Sequence, residues 1–170
     1  NAVIAVHAHQ AHGGVALLRF NQIQQEALIP DKITFRTILC SISSRSILAN
    51  MKFLHAYVVS SGLDSDMVVS TSLFSMFGRC GDVEYSRKLF DGMLKRDLIA
   101  WNAMIAVYAQ NGYDSDAIQV LREMQQAGVP PDKVTLMSSL SVCAGVSLGS
   151  AQGLFDQIHQ RNVTVWNAML

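Results

Sequence analysis

The polar residues that recur in register along this sequence are asparagine and aspartate. Asn1, Asn102 and Asn167 are each followed by Ala, and Asp31 and Asp132 each follow Pro. Amide and carboxylate side chains act through hydrogen bonds rather than through a covalent step. The same residue types are common helix caps and turn residues, so a structural role stays open at each position. Their recurrence at matching places favours a role in recognition.

Residues for catalysis or metal binding form no recognisable set in the sequence. There is no nucleophile–base arrangement and no phosphate-binding Gly loop, and the His-x-Glu and Pro-Cys-x-x-Cys motifs of a deaminase are missing. Of His7, His9 and His12, only the last two share a helical face, and no Cys or carboxylate joins them at ligand spacing. We therefore expect no enzymatic activity, metal, cofactor or small-molecule substrate for this chain.

The composition is that of a folded chain without an electrostatic bias. Of the 170 residues, 50% are apolar and 15% are charged, which excludes a disordered class. The formal net charge is +0, so any nucleic-acid contact must come from a local face. Cys40, Cys80 and Cys143 lie far apart, as buried cysteines in a reducing compartment do. No apolar run in the sequence approaches a membrane span, so we expect no membrane partner.

Two short amphipathic helices are predicted in the segment 98–132. The first covers 101–110 and stops at Asn111-Gly112, a helix-ending pair. The second begins near Ser115, because four apolar residues follow the i, i+3, i+4, i+7 spacing of one buried face. These four are Ala117, Val120, Leu121 and Met124. Helices this short cannot bury their apolar faces alone, so the hairpin needs neighbours of the same kind.

The sequence repeats with a period of 101 residues, since 1–31 aligns with 102–132 and 11 of those 31 positions are identical. The period divides into segments 32–66, 67–97 and 98–132, of 35, 31 and 35 residues. Each carries the same four-point apolar stripe in its second helix. The polar exceptions to the stripe are Arg19, His55 and Ser86. Because no strand-like alternation occurs, the predicted fold class is all-α, an α-solenoid of helix-turn-helix repeats.

These segments resemble the repeats of plant pentatricopeptide repeat (PPR) proteins, in the PLS subclass that alternates ordinary, long and short types. The ordinary type is similar to 98–132, which opens with Trp-Asn-Ala-Met-Ile and closes with Gly-Val-x-Pro-Asp. The long type is similar to 32–66. The short type is similar to 67–97, which ends in Lys95-Arg96-Asp97. The resemblance covers essentially the whole chain and implies a right-handed superhelix.

The remaining segments are expected to be incomplete or unusual repeats. Segment 1–31 is an ordinary repeat shortened at its start, and 163–170 opens a further ordinary repeat, so we expect a piece of a longer array without terminal caps. Segment 133–162 begins like a long repeat and ends like a short one. We interpret it as a hybrid that lacks about one repeat of sequence near 146–148.

Resemblance to this family implies that each repeat reads one base of single-stranded RNA with two side chains. One lies in the first helix and the other is the last residue of the repeat, so one Watson–Crick edge can be hydrogen-bonded per repeat. The base-reading pairs that this resemblance implies are Asn1 with Asp31, Thr71 with Asp97, and Asn102 with Asp132. The family's rule is uracil over cytosine for the Asn–Asp pairs and guanine for the Thr–Asp pair.

Other positions are weaker candidates. The pairs Arg36 with Asp66 and Met137 with Asn162 fall outside the combinations understood for the family, and the partner of Asn167 would follow the last residue. The pairs together predict the RNA sequence U-x-G-U-x, read 5′ to 3′. The family resemblance gives His55 a packing role.

The resemblance also implies an organellar RNA-processing factor that selects sites for C-to-U editing, with any deaminase domain outside this chain. Its partners would be an organellar transcript and other RNA-editing factors, in the mitochondrion or chloroplast. A protein–protein scaffold of the tetratricopeptide kind is the alternative, since zero net charge favours it. Repeats of 35 and 31 residues that end in Asp argue against the 34-residue scaffold repeat.

Overall fold

The computed structural model describes Phe20, Gln22 and the ranges 32–42 and 48–143. Within these residues the regular structure is helical, with no strand. Seven α-helices are labelled here in chain order: α1 (Lys32–Ser41), α2 (Leu48–Ser60), α3 (Met67–Arg79), α4 (Val83–Gly92), α5 (Leu98–Gln110), α6 (Asp114–Gln126) and α7 (Lys133–Cys143). A 3-10 turn, Leu63–Ser65, separates α2 from α3. None of the described helices is long and apolar enough to cross a membrane.

Three of the helices that open a repeat begin directly after an aspartate that caps them, as the second helix α4 does after Asp82. Asp66, Asp97 and Asp132 precede α3, α5 and α7, and each side chain accepts a hydrogen bond from a backbone N–H in the first turn. Such a cap satisfies an N–H group that has no partner within the helix. Because Asp97 supplies this cap, α5 begins at Leu98, three residues earlier than the predicted start at 101.

The predicted end of α5 is confirmed. Its last residue is Gln110, and the chain then turns at Gly112, whose φ of 75° is easily adopted only without a Cβ atom. The following helix begins at Asp114, one residue before the predicted Ser115. The turn between the two helices is therefore three residues long, which forces them into a hairpin.

The chain separates into two packing units between Arg96 and Asp97. In the first unit, an aromatic cluster fills the core under α1 and α2. The ring centroids of Phe20 and Phe35 lie 5.3 Å apart, and Tyr57 lies 5.2 Å from Phe35. The three apolar residues of the predicted stripe of α2, Met51, Leu54 and Val58, are fully buried in this core, which confirms the stripe there.

Two of the three polar exceptions to the stripe find partners inside the first unit. Ser86 is fully buried, and its hydroxyl donates to the backbone oxygen of Phe74 at 2.8 Å. The half-buried ring of His55 places Nδ1 2.9 Å from the hydroxyl oxygen of Tyr85. Hydrogen bonding thus replaces apolar packing at both positions. The third exception, Arg19, lies outside the described residues.

The second unit is built from the hairpin α5–α6 and from α7, which packs against both helices. The four residues predicted to face the core of α6 are each at most 1% exposed: Ala117, Val120, Leu121 and Met124. The predicted buried face is confirmed. Its burial against α5 and α7 holds the beginning of α7 close to the first turns of α5.

Some of the predicted repeat segments include residues outside those that the structure describes. Segments 1–31 and 163–170 lie outside the described residues, apart from Phe20 and Gln22. The first half of the segment 133–162 forms α7, and the rest of this segment is not described. The six segments and the hybrid therefore stay predictions.

Candidate functional site

The structure joins Asn102 to Asp132, two residues that stand 30 positions apart. The side-chain Nδ2 of Asn102 lies 3.0 Å from Oδ1 of Asp132. Asn102 is the fifth residue of α5, and Asp132 is the N-cap of α7. The hairpin brings them together because α5 and α6 run in opposite directions. The chain therefore returns to the end where α5 begins, and α7 starts beside it.

A third residue, Thr135, completes a hydrogen-bonded cluster with this pair. Its backbone N–H donates to Asp132 Oδ1 at 2.9 Å, and its hydroxyl accepts from the backbone N–H of Asp132 at 3.1 Å. The hydroxyl also contacts Oδ1 of Asn102 and Oδ1 of Asp132. Thr135 is fully buried. Sequence reasoning missed this residue, although Thr follows each predicted Asn–Asp pair by three positions, at Thr34 and Thr135.

The cluster keeps Asp132 ionised. Burial raises the pKa of this carboxyl, but hydrogen bonds from the backbone and hydroxyl of Thr135, from Asn102 and from the backbone of Val134 outweigh it. The pKa therefore lies below its usual value, because each donor favours the charged form. An ionised carboxylate only accepts hydrogen bonds, so it must face the NH₂ end of the Asn102 amide. The orientation of that amide follows from this chemistry.

Asp66 is held differently from Asp132. It caps α3 by accepting from the N–H groups of Val68 and Val69, at 3.0 and 3.2 Å. Its other oxygen lies 3.5 Å from Nζ of Lys32. Its predicted partner Arg36 is exposed on α1, one turn beyond Lys32. The carboxylate of Asp66, which the sequence pairs with Arg36, thus forms its ion pair with Lys32 in the structure.

Thr71 and Asp97 lie in different packing units, so their pairing stays a prediction. Thr71 is half-buried in α3, and its backbone oxygen accepts from the hydroxyl of Ser75 at 2.7 Å. Asp97 caps α5 through a 2.8 Å hydrogen bond from the N–H of Ala100.

Met137 is 58% exposed on α7, and its predicted partner Asn162 lies outside the described residues. The same is true of the other undescribed candidates, which are Asn1, Asp31 and Asn167. Among the residues that the structure describes, no three His, Cys, Asp or Glu side chains converge on a metal site. His7, His9 and His12 fall outside that range.

A second recurring feature is an exposed β-branched residue at the second position of each first helix. These residues are Ile33 at 63% exposure, Val68 at 53%, Ile99 at 68% and Val134 at 56%. Each unit exposes two of them, Ile33 and Val68 in the first unit and Ile99 and Val134 in the second. Sequence reasoning missed these residues too. The available signal was an apolar residue two positions after each aspartate that ends a repeat.

Comparison with known proteins identifies the repeats. A model described as a PPR repeat matches residues 68–98, and one described as the PPR repeat family matches 96–145. The chain carries pentatricopeptide repeats. This confirms the family predicted from the sequence motifs, and the PLS subclass stays a prediction.

Plant PPR proteins are similar to this chain over most of its length. A chloroplastic PPR-containing protein of Arabidopsis thaliana is 34% identical and aligns with 100% of this chain and 22% of its own length. A mitochondrial PPR-containing protein of the same plant is 32% identical, over 87% of this chain and 16% of its own length. The chain thus spans about a fifth of the length of these relatives.

A solved structure shares the fold. The crystal structure of the PPR protein PPR10 in complex with an 18-nt psaJ RNA element matches 93% of this chain and 23% of its own, with a TM-score of 0.75 and 19% sequence identity. This likeness confirms the predicted all-α, α-solenoid fold class. The right-handed twist of the superhelix stays a prediction.

Proposed function

We propose that this chain binds single-stranded RNA and reads one base per repeat. The observation that carries the proposal is the hydrogen bond between Asn102 and Asp132, which presents an amide of fixed orientation at the start of a helical hairpin. The PPR protein of similar fold is bound to RNA in its crystal structure, which supports the proposal. Val134, exposed beside this pair, supplies an apolar surface for the face of a base.

The chemistry of the amide accounts for a preference for uracil over cytosine. One N–H of Asn102 is used by Asp132, which leaves a second N–H donor and a carbonyl lone pair for a ligand. Uracil offers a carbonyl oxygen next to its N3–H. The carbonyl oxygen can accept from the remaining N–H of Asn102, and the N3–H can donate to the Asn102 carbonyl. Cytosine offers N3 as an acceptor next to its N4 amino group, and it fits an amide only in another placement. We therefore assign uracil to the pair Asn102 and Asp132.

The proposed reading frame follows from the repeat order. Taken from 5′ to 3′, the pairs select U-x-G-U-x, with guanine read by Thr71 and Asp97 and the second uracil by Asn102 and Asp132. In the whole protein we propose a role in site recognition for organellar RNA processing, of the C-to-U editing type that the PLS subclass implies. Two of the similar plant proteins are named as chloroplastic and mitochondrial, which supports an organellar location.

A protein–protein scaffold is the second candidate. It is favoured by exposed apolar residues away from the first helices, since Phe53 and Val59 on α2 are 54% and 50% exposed. The zero net charge also provides no general attraction to RNA. The two functions are distinguished by whether base identity changes the binding.

The test measures binding of the chain to fluorescent RNA that contains U-A-G-U-A, by anisotropy at low salt, where about micromolar affinity is expected for so few reading repeats. Replacing the second U by A, or Asn102 by Ala, is expected to weaken binding about tenfold, as loss of a specific base contact does. Asn111→Ala is the matched control. Asn111 lies at the far end of α5, where its amide donates to the backbone oxygen of Val107.

Binding that is indifferent to the second U and to Asn102→Ala would contradict base reading by this repeat. A G-to-A change at the third position that costs nothing would contradict the register.

A further inference from the structure

Thr135 belongs to the repeat that follows the pair Asn102 and Asp132, yet its hydroxyl contacts both members. The hydroxyl oxygen accepts from the backbone N–H of Asp132 at 3.1 Å. It has one proton to donate, and two oxygens lie within reach, Oδ1 of Asn102 and Oδ1 of Asp132. Oδ1 of Asn102 is the closer of the two, so the proton is directed mainly to Asn102 and is shared with Asp132.

Both ends of the Asn102 amide are then tied. The NH₂ group donates to the Asp132 carboxylate, and the carbonyl accepts from Thr135. Rotating the amide by half a turn would set its carbonyl oxygen against the carboxylate of Asp132, so that two acceptors would face each other. The cluster therefore fixes which atom of the amide points in which direction.

The hydroxyl of Thr135 takes part in a reciprocal cap with Asp132, but an aspartate cap does not require a hydroxyl at this position. The third residue of α3 is Val69 and that of α5 is Ala100, and both helices are capped by aspartate without a hydroxyl there. In the sequence, four repeat ends are followed by a complete first helix. The third residue of that helix is Thr only where the preceding pair is Asn–Asp, at Thr34 and Thr135. The hydroxyl accompanies the asparagine rather than the cap.

We propose that Thr135 is a positioning residue for base reading by Asn102, so that the preference of this repeat for uracil over cytosine depends on three side chains, one of them from the next repeat. The inference rests on the proposed RNA-binding function. With the amide fixed, its free carbonyl lone pair suits the N3–H of uracil, whereas cytosine presents an acceptor at N3. Without the hydroxyl the amide turns more freely and accepts either pyrimidine.

The experiment compares the affinity of the chain for RNA with U or with C at the fourth position of U-A-G-U-A. Thr135→Val keeps the shape of the side chain and removes the hydroxyl, and we expect the U-to-C affinity ratio to fall about fivefold, the equivalent of one net hydrogen bond. Thr135→Ser restores the hydroxyl and is expected to restore the ratio. Ser139→Ala is the matched control, because it removes another buried hydroxyl of α7, bonded to the backbone oxygen of Thr135 at 2.7 Å.

A purely structural role would lower the affinity for both RNAs equally and leave the ratio unchanged in Thr135→Val. That result, with a ratio that still depends on Asn102, would overturn the inference and leave the proposed function intact. A wild-type chain whose binding ignores the base would overturn both.

A second measurement covers the case in which Thr135→Val does not fold. Nuclear magnetic resonance of the free Thr135→Ser and Thr135→Cys variants follows the two Nδ2 protons of Asn102. We expect the same chemical shifts for these protons in wild type and Thr135→Ser, and shifts closer to those of a solvent-exposed amide with the weakly donating thiol of Thr135→Cys. Identical signals in all three proteins would contradict the positioning role.

Discussion

Asp132 accepts a hydrogen bond from the Asn102 amide and also caps helix α7, so one carboxylate supports both the fold and the candidate reading site. The two roles use the same oxygen, Oδ1. The cap sets the position of Asp132 relative to α7, and the packing of α7 against α5 sets its position relative to Asn102. This coupling makes the geometry of the site a consequence of repeat packing.

The exposed residue Val134 is expected to matter for binding and not for stability. Val134→Ala removes apolar surface that is 56% exposed, so the midpoint of thermal unfolding should stay unchanged. Affinity for U-A-G-U-A should fall by about fivefold, at the low end of a base-stacking contact because Val has no aromatic ring. Val59→Ala is the control, since Val59 is 50% exposed on the second helix of its hairpin. Equal affinities of the two variants would contradict a base-facing role for Val134.

The Asp132 carboxyl is expected to make the stability of the chain depend on pH in the acidic range. Its pKa is lowered in the folded state, so its contribution is present above the usual value of 3.8 and is lost as the pH falls through the lower folded value. Asp132→Asn should therefore destabilise the chain at pH 7, and the difference from wild type should shrink below pH 4. Urea unfolding at a series of pH values measures this. A difference that is constant between pH 7 and pH 2 would contradict the assignment.

The contact between His55 and Tyr85 is expected to give the stability of the chain a second pH dependence, at higher pH than that of Asp132. Burial lowers the pKa of His55, although Asp64 opposes the change, so the neutral ring is favoured in the folded state. Its contribution to stability is present above the ordinary value of 6.5 and is lost as the pH falls through the lowered value. Tyr85→Phe removes the hydroxyl that lies 2.9 Å from Nδ1, and we expect the pKa of His55 to rise.

Proton nuclear magnetic resonance titration of His55 in wild type and Tyr85→Phe checks this prediction. Tyr113→Phe serves as a control on an exposed tyrosine of the second unit. An unchanged or lower pKa in Tyr85→Phe would show that the hydroxyl does not favour the neutral ring.

Arg79 is expected to stabilise the packing of α3 against α1. Its guanidinium donates to the backbone oxygens of Leu39 at 2.6 Å and Ile42 at 3.4 Å, at the carboxyl-terminal end of α1, where carbonyl groups have no partner within the helix. Arg79→Ala should lower the free energy of unfolding by about 2 kcal/mol, as for hydrogen bonds from a charged donor. Urea unfolding measures this cost.

Lys88→Ala is the control for Arg79, because the ion pair of Lys88 with Glu84 is fully exposed to solvent and should contribute little. If the two variants unfold at the same urea concentration, Arg79 does not hold the two helices together.

The repeat pattern and the local helices follow from the sequence by itself. Apolar spacing predicted the buried face of α6, and Asn111-Gly112 predicted the end of α5, because both depend on residues within one or two helical turns. The starts of helices were less accurate. Asp97 lengthens α5 by three residues through a side-chain hydrogen bond that composition does not reveal. The motifs of the repeats predicted the PPR family, which the comparisons confirm.

Only the tertiary structure decided what the polar residues contact. The sequence placed Asn102 and Asp132 in one candidate pair through family resemblance, whereas their contact depends on how α7 packs against α5. The same packing buries Thr135 against the pair and leaves Val134, its neighbour in the chain, exposed. Spacing along the chain determines which residues share a helical face. Which of those faces meets another helix is determined by burial of apolar surface between hairpins, and this is a property of the assembled repeats.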